Sequence, residues 1–297
     1  MNDAHVIIIF VDGIGIGVDN PDFNPCCYSE TGIFKPDKWI LPYRGTRYAL
    51  NACLNVSGLP QSATGQTSIY TGKNAAMLIG KHLFGFPNQP LRELIQKHSL
   101  FVKLTQLGYR CKFLNAFRPI FFTTSELFKN MRMSATTEMN RAAHLPFASF
   151  RDLRNEHALY HDYSNQILID KGFDVPQRSA GQAAEILARM SEAYHVILYE
   201  YFLTDYAGHA QDMEFAVQEI KKLERFLYEL IKMLNFDKKI VLVISDHGNI
   251  EDLRTKSHTL NPAYMALWGE KDTFKFDSIL AVYPYLIERI TGNTLSV

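Results

Sequence analysis

Asp12, Asp205, His209, Asp246, His247 and His258 have the residue types needed to hold metal ions. Carboxylate and imidazole together make a borderline-hard ligand set that suits zinc, manganese or iron. Six such donors exceed what one catalytic ion with an open position takes, and they suit a pair of ions. Paired ions usually serve displacement at phosphorus, which calls for a nucleophile. The run GLPQSATGQTSIYTG, residues 58–72, offers hydroxyls at Ser62, Thr64, Thr67, Ser68 and Thr71. Leu59-Pro60-Gln61 resists helix while Ala63 onward favours it, so Ser62 falls near a helix N-terminus. Free N–H groups and the positive dipole end would favour an alkoxide and an incoming phosphate there. From spacing alone, Ser62 is either this nucleophile or an N-cap.

The six donors are useful only if the fold gathers them. Apolar runs with β-branched residues predict strands at Val6–Val11, Cys111–Asn115, Val196–Phe202, Ile240–Ser245 and Tyr264–Trp268. Such runs are expected of strands covered on both faces. Helices are predicted over Leu91–Leu107, Ala180–Tyr194, Met213–Leu234 and Asp277–Thr291, the third with a clear 3.6-residue apolar period. Alternation of the two predicts an α/β fold: a mostly parallel central sheet with helices on both faces. Sites in such sheets form beyond the carboxyl ends of the strands. Asp12, Asp205 with His209, and Asp246 with His247 all follow predicted strands, and His258 precedes one. Residues 18–48, rich in Pro, Asn and Asp, read as a long loop. Residues 117–178, with Pro119, Pro146 and Pro176, read as a small cap inserted into a core of 1–116 and 179–297.

Composition narrows the partners. Lys+Arg and Asp+Glu balance at 31 each, which leaves no electrostatic footprint for nucleic acid or an anionic membrane. No apolar run approaches the roughly 20 residues that span a bilayer, and MNDAHVIIIFVDG reads as a strand rather than a signal peptide. Cys26, Cys27, Cys53 and Cys111 lack C-x-x-C spacing and are expected to be reduced thiols of a cytoplasmic protein. Gly13, Gly15 and Gly17 lack the G-x-G-x-x-G spacing of a dinucleotide fingerprint, and His157 and His161 lack the H-E-x-x-H order of a zinc helix.

In their order along the chain, VDGIG (11–15), GLPQSATGQTSIYTG, TDYAGHAQD (204–212), SDHGNIED (245–252) and SHTLNP (257–262) resemble the alkaline phosphatase superfamily of metalloenzymes. The likeness leans toward its cofactor-independent phosphoglycerate mutase and phosphopentomutase branch. In that family the nucleophile lies ten residues before a glycine that closes the next helical segment. Ser62 and Gly72 have that spacing. The resemblance implies one ion held by Asp12, Ser62, Asp246 and His247, and a second held by Asp205, His209 and His258. Manganese or zinc is the expected metal, with iron and magnesium as further candidates. The implied activity is phosphoryl transfer on a small phosphorylated substrate, by hydrolysis through a phosphoseryl Ser62 or by a mutase reaction. A metal-holding protein without turnover is the remaining alternative. The short insert departs from those mutases, whose inserted domain is larger and basic. Residues 117–178 carry eight Lys/Arg against seven Asp/Glu. Arg118, Lys129, Arg132 and Arg141 are its candidate anion-binding groups, Arg118 and Arg141 foremost.

Overall fold

The computed structural model describes residues 5–122, 132–272 and 274–293. Among these, one sheet contains β1 (His5–Val11), β2 (Ile40–Leu41), β3 (Gly45–Leu50), β4 (Cys111–Phe113), β5 (Val196–Tyr201), β6 (Lys239–Ile244) and β7 (Ala263–Trp268). Their order across the sheet is β2-β3-β7-β6-β1-β5-β4. The helices are α1 (Ser62–Thr71), α2 (Ala75–Ile79), α3 (Gln89–His98), α4 (Leu100–Gln106), α5 (Ala135–Ala142) and α6 (Phe150–Arg154). They continue with α7 (Gln166–Asp170), α8 (Ala180–Ser191), α9 (Leu203–Ala210), α10 (Met213–Met233) and α11 (Val282–Thr291).

β6, β1, β5 and β4 pair in parallel, as the apolar runs predict. β1 shows why. Ile7, Ile9 and Val11 enter one core with Ala184 and Leu187 of α8 and Ile220, Leu223 and Leu227 of α10. Val6, Ile8 and Phe10 enter another with Ile69 of α1, Leu104 of α4, Met139 of α5 and Leu286 of α11. Along β1 both faces are apolar, and the first polar side chain after His5 is Asp12, where the chain leaves the sheet.

Beside this parallel centre, β7 runs antiparallel to β6, and β3 antiparallel to β7, so one side of the sheet is mixed. Two expectations are corrected. The predicted loop 18–48 contains β2 and the start of β3, two strands at that side. The helix predicted over Leu91–Leu107 is broken at Ser99, whose backbone is extended (φ −69°, ψ 154°). The Ser99 N–H ends α3 on the Ile95 carbonyl, and its own carbonyl starts α4 by accepting from Lys103.

The described part of 117–178 lies along the β4 edge. Ala116 and Leu159 exchange backbone contacts with Leu159 and Leu114, and Phe117 N–H donates to Ala148. Phe150, Leu153, Tyr160 and Leu168 form a small cluster of their own, while α5 packs into the core beside α1. Among the described residues, no helix is long and apolar enough to cross a membrane.

Candidate metal centre

The parallel strands deliver the polar residues to one edge. Asp12 leaves β1 with its N–H on the Tyr201 carbonyl of β5. α9 begins two residues after β5, placing Asp205 in its first turn and His209 in its last. Asp246 and His247 follow β6, and an antiparallel bridge between Gly248 and Thr259 folds the loop back so that His258 returns to the same edge before β7. Ser62 is the first residue of α1. The N-cap is Gln61, so Ser62 does not cap the helix, and its Oγ lies 3.0 Å from His247 Nε2.

All seven residues singled out by motif converge. His247 Nε2 is 3.2 Å from Asp12 Oδ1 and 3.6 Å from Asp246 Oδ2. Asp205 Oδ2 is 3.3 Å from His209 Nε2, and Asp205 Oδ1 is 3.5 Å from His258 Nε2. Asp205 stands between the two groups: donor atoms of Asp205, His209 and His258 lie within 4.8 Å of one another, and so do those of Asp12, Asp205 and His247. Gly13 permits this approach, because at φ +68° it is left-handed and an added Cβ would sit 2.5 Å from Asp205 Oδ1. Gly65 does the same for α1, where a Cβ would meet that of Asp246 at 2.9 Å.

The arrangement is built for cations. Asp12 Oδ1, both Asp246 oxygens, His209 Nε2 and His258 Nε2 are buried without a hydrogen-bond partner among the described residues, whereas buried polar atoms ordinarily have one. The Nδ1 atoms of His209, His247 and His258 face the carbonyls of Lys256, Gly248 and Pro60, which turns each Nε2 toward the cluster. Burial, and then the Asp12 charge, push the Asp246 carboxyl well above its usual range. Burial opposes a charge on His247, but Asp246 and Asp12 outweigh it and hold the ring up to about 10. Burial and the neighbouring His247 lower His258 to about 4. Burial works against the Asp205 charge, yet His209, His247 and the Asn249 amide bring it down to about 2. The residues present therefore fit divalent ions in charge, donor type and orientation.

Two partners of the site went unnoticed in the sequence. Asn249 donates to Asp205 Oδ1 at 2.7 Å. Glu251, fully buried, accepts from the Gly15 and Asn249 N–H groups, each at 2.8 Å, from Thr259 Oγ1 at 2.5 Å and from Asn261 Nδ2 at 3.0 Å. It ties the turn after β1 to both ends of the 245–262 loop. The available signal was an acidic residue inside a loop already assigned to metal. Glu251→Ala leaves four donors without their acceptor and is expected to cost about 3–5 kcal/mol in a urea melt. An unchanged midpoint would remove the clamp role.

Residues 4–280 match the family model of the metalloenzyme superfamily. The chain belongs to that superfamily. This metalloenzyme is 27% identical over 196 residues to the 2,3-bisphosphoglycerate-independent phosphoglycerate mutase of Legionella pneumophila, covering 62% of this chain and 37% of that one. It is 35% identical over 85 residues to the mutase of the same name from Gloeothece citriformis, covering 26% and 16%. The chain thus spans well under half the length of these curated relatives. Its fold is similar to alkaline phosphatase from the Antarctic bacterium TAB5 (TM-score 0.58, 11% identity), covering 99% of this chain and 100% of that one.

Beside the cluster the metalloenzyme has a cavity of about 560 Å³, with Asp12, Ser62, Asp205 and His209 among its lining residues. Arg118 and Arg132 line it, whereas Arg141 is not among its lining residues and is bound to Glu138 at 3.0 Å. Lys129 lies outside the described residues. His157 and His161 share no helix: His157 is exposed, and His161 packs between Tyr160 and Phe202 at ring distances of 3.9 and 4.2 Å. Burial lowers His161 to about 3, so it faces the cavity uncharged.

Proposed function

We propose that this chain is a two-metal phosphoryl-transfer enzyme, and that its reaction is hydrolysis of a phosphate ester through a phosphoseryl Ser62. The observation that carries the reading is the placement of Ser62 Oγ, on the first residue of α1, 3.0 Å from His247 Nε2 and on the lining of the cavity. Asp12, Ser62, Asp246 and His247 would hold one ion and Asp205, His209 and His258 the other. Manganese or zinc suits this donor set best. Bound there, the ions would supply Lewis-acid stabilisation of charge on the phosphoryl and leaving oxygens.

The protein's own part follows from its geometry. α1 directs its positive end at the Ser62 oxygen and at an incoming phosphate. Ser62 gives up its hydroxyl proton to solvent as Oγ bonds to phosphorus, and the ester P–O bond breaks in line. The departing alcohol keeps that electron pair and takes a proton from solvent. Water then attacks the phosphoserine and loses a proton to solvent, Ser62 Oγ leaves with the P–O electron pair and is reprotonated, and phosphate is released. In this reading residues 117–178 act as a cap on a core of 1–116 and 179–297, and bring Arg118 to the phosphate.

The likeness to mutases favours a second reading, in which the phosphoryl group of Ser62 returns to another hydroxyl of the same substrate. Phosphorus NMR of a phosphomonoester panel with the metal-loaded protein separates the two. Free phosphate is the expected product, and a phosphorylated isomer without phosphate would establish the mutase. Neither product, from a protein with two ions bound, would end the phosphoryl-transfer proposal.

A further inference from the structure

Eight phenylalanine and tyrosine residues line the cavity beside Ser62. Phe84 and Phe86 come from the loop before α3, Phe117 from the segment after β4, Tyr160 from the segment before α7, and Phe202 and Tyr206 from the end of β5 and from α9. Phe84 is 66% exposed and Tyr206 68%. Large rings standing open around one concavity are unusual on a protein surface unless something covers them. Several uncharged polar side chains of the lining are engaged within the protein. The Asn115 amide is bonded both ways to the Glu200 backbone, Ser134 to Thr137, and Gln66 donates to Asp12. A substrate rich in hydroxyls would lose water here and find fewer partners than it gave up, which costs affinity. A flat apolar group would gain ring contacts at 4.5–7 Å and the release of ordered water. The volume, about 560 Å³, falls in the range of sites for drug-sized ligands and exceeds what a phosphate with a three-carbon chain fills. Charge enters the lining through Asp12 and Asp205 of the cluster and through Arg118 and Arg132.

Resting on the phosphoryl-transfer reading, we propose that the substrate is a phosphate ester of an aromatic alcohol, with its ring seated in this cavity and its phosphorus at Ser62. Three esters of alcohols with similar acidity test it: ethyl, octyl and naphthylmethyl phosphate, each assayed with the metal-loaded protein. Naphthylmethyl phosphate is expected to exceed ethyl phosphate in kcat/KM by about 10- to 100-fold, the range of one well-buried apolar group. It should also exceed octyl phosphate. Phe84→Ala should raise the KM for naphthylmethyl phosphate about tenfold, and Phe84→Tyr should keep it near the native value. Equal rates on all three esters, or a preference for octyl phosphate, overturn the proposal while leaving phosphoryl transfer intact. Calorimetry with naphthylmethylphosphonate reads the cavity independently of turnover. Binding with a negative heat-capacity change, at least tenfold tighter than ethylphosphonate, supports the proposal even if no ester is cleaved. Equal affinity for the two phosphonates overturns it.

Discussion

Ser62→Ala is expected to lower phosphate release by at least about a thousandfold in the metal-loaded protein, the scale on which removal of a covalent nucleophile acts. The structure makes this a clean experiment. Ser62 is not the N-cap of α1, so its hydroxyl does not hold the helix end, and alanine is the best helix former for its position. Ser62 Oγ is bonded to His247 Nε2, a contact made on the face of the cluster rather than within the core packing of α1. Stability should therefore change by less than about 1 kcal/mol, well below the loss expected for a cap or a cavity in the core. Mass spectrometry of the quenched native enzyme should find phosphate on Ser62, and the variant should show none. Undiminished turnover by the metal-loaded variant would sink the covalent route. Loss of turnover together with a large drop in melting temperature would assign Ser62 a structural role instead.

Burial on both faces made the parallel strands legible. A run such as Val-Ile-Ile-Ile-Phe-Val has no polar residue until it emerges, and what emerges is the site: Asp12, Asp205 after the α9 start, Asp246 and His247. β3 was hidden for the opposite reason. Its Arg47 points inward, donates to the Lys35 and Pro36 carbonyls and stacks on Trp39 at 4.6 Å, so the strand reads as a polar loop. The direction of β7 was equally hidden, since AYMALW is as apolar as its parallel neighbours. It is set by the return of the 245–262 loop, which Glu251 fastens through partners as distant in sequence as Gly15. The break at Ser99 was invisible because apolar spacing continues across it. Among the candidate arginines, type alone did not separate Arg118, which lines the cavity, from Arg141, which Glu138 holds elsewhere. Strand ends project residues into a site by rule; helix surfaces do so only through tertiary contacts.

Asp246→Asn should separate metal binding from folding. Both Asp246 oxygens are buried without a hydrogen-bond partner among the described residues, and Oδ2 faces His247 Nε2 at 3.6 Å. In chelator-treated protein the effects oppose each other. Asparagine relieves the repulsion between Asp246 and Asp12, but it gives up the attraction to His247 and introduces a buried amide whose donors lack partners, each effect worth about 1–3 kcal/mol. The metal-free variant is therefore expected to lose no more than about 1–3 kcal/mol of native stability. With metal the two should diverge. An ion at a thousand times its dissociation constant stabilises a folded protein by about 4 kcal/mol. Losing one carboxylate ligand by 10- to 100-fold in affinity removes about 1.4–2.8 kcal/mol of that gain. Urea melts with chelator and with manganese or zinc give all four stabilities, and phosphate release should fall at least about 100-fold in parallel. A variant that is unstable without metal, yet gains as much from metal as the native chain, would make Asp246 a structural carboxylate and leave the ion to Asp12, Asp205 and His247 alone.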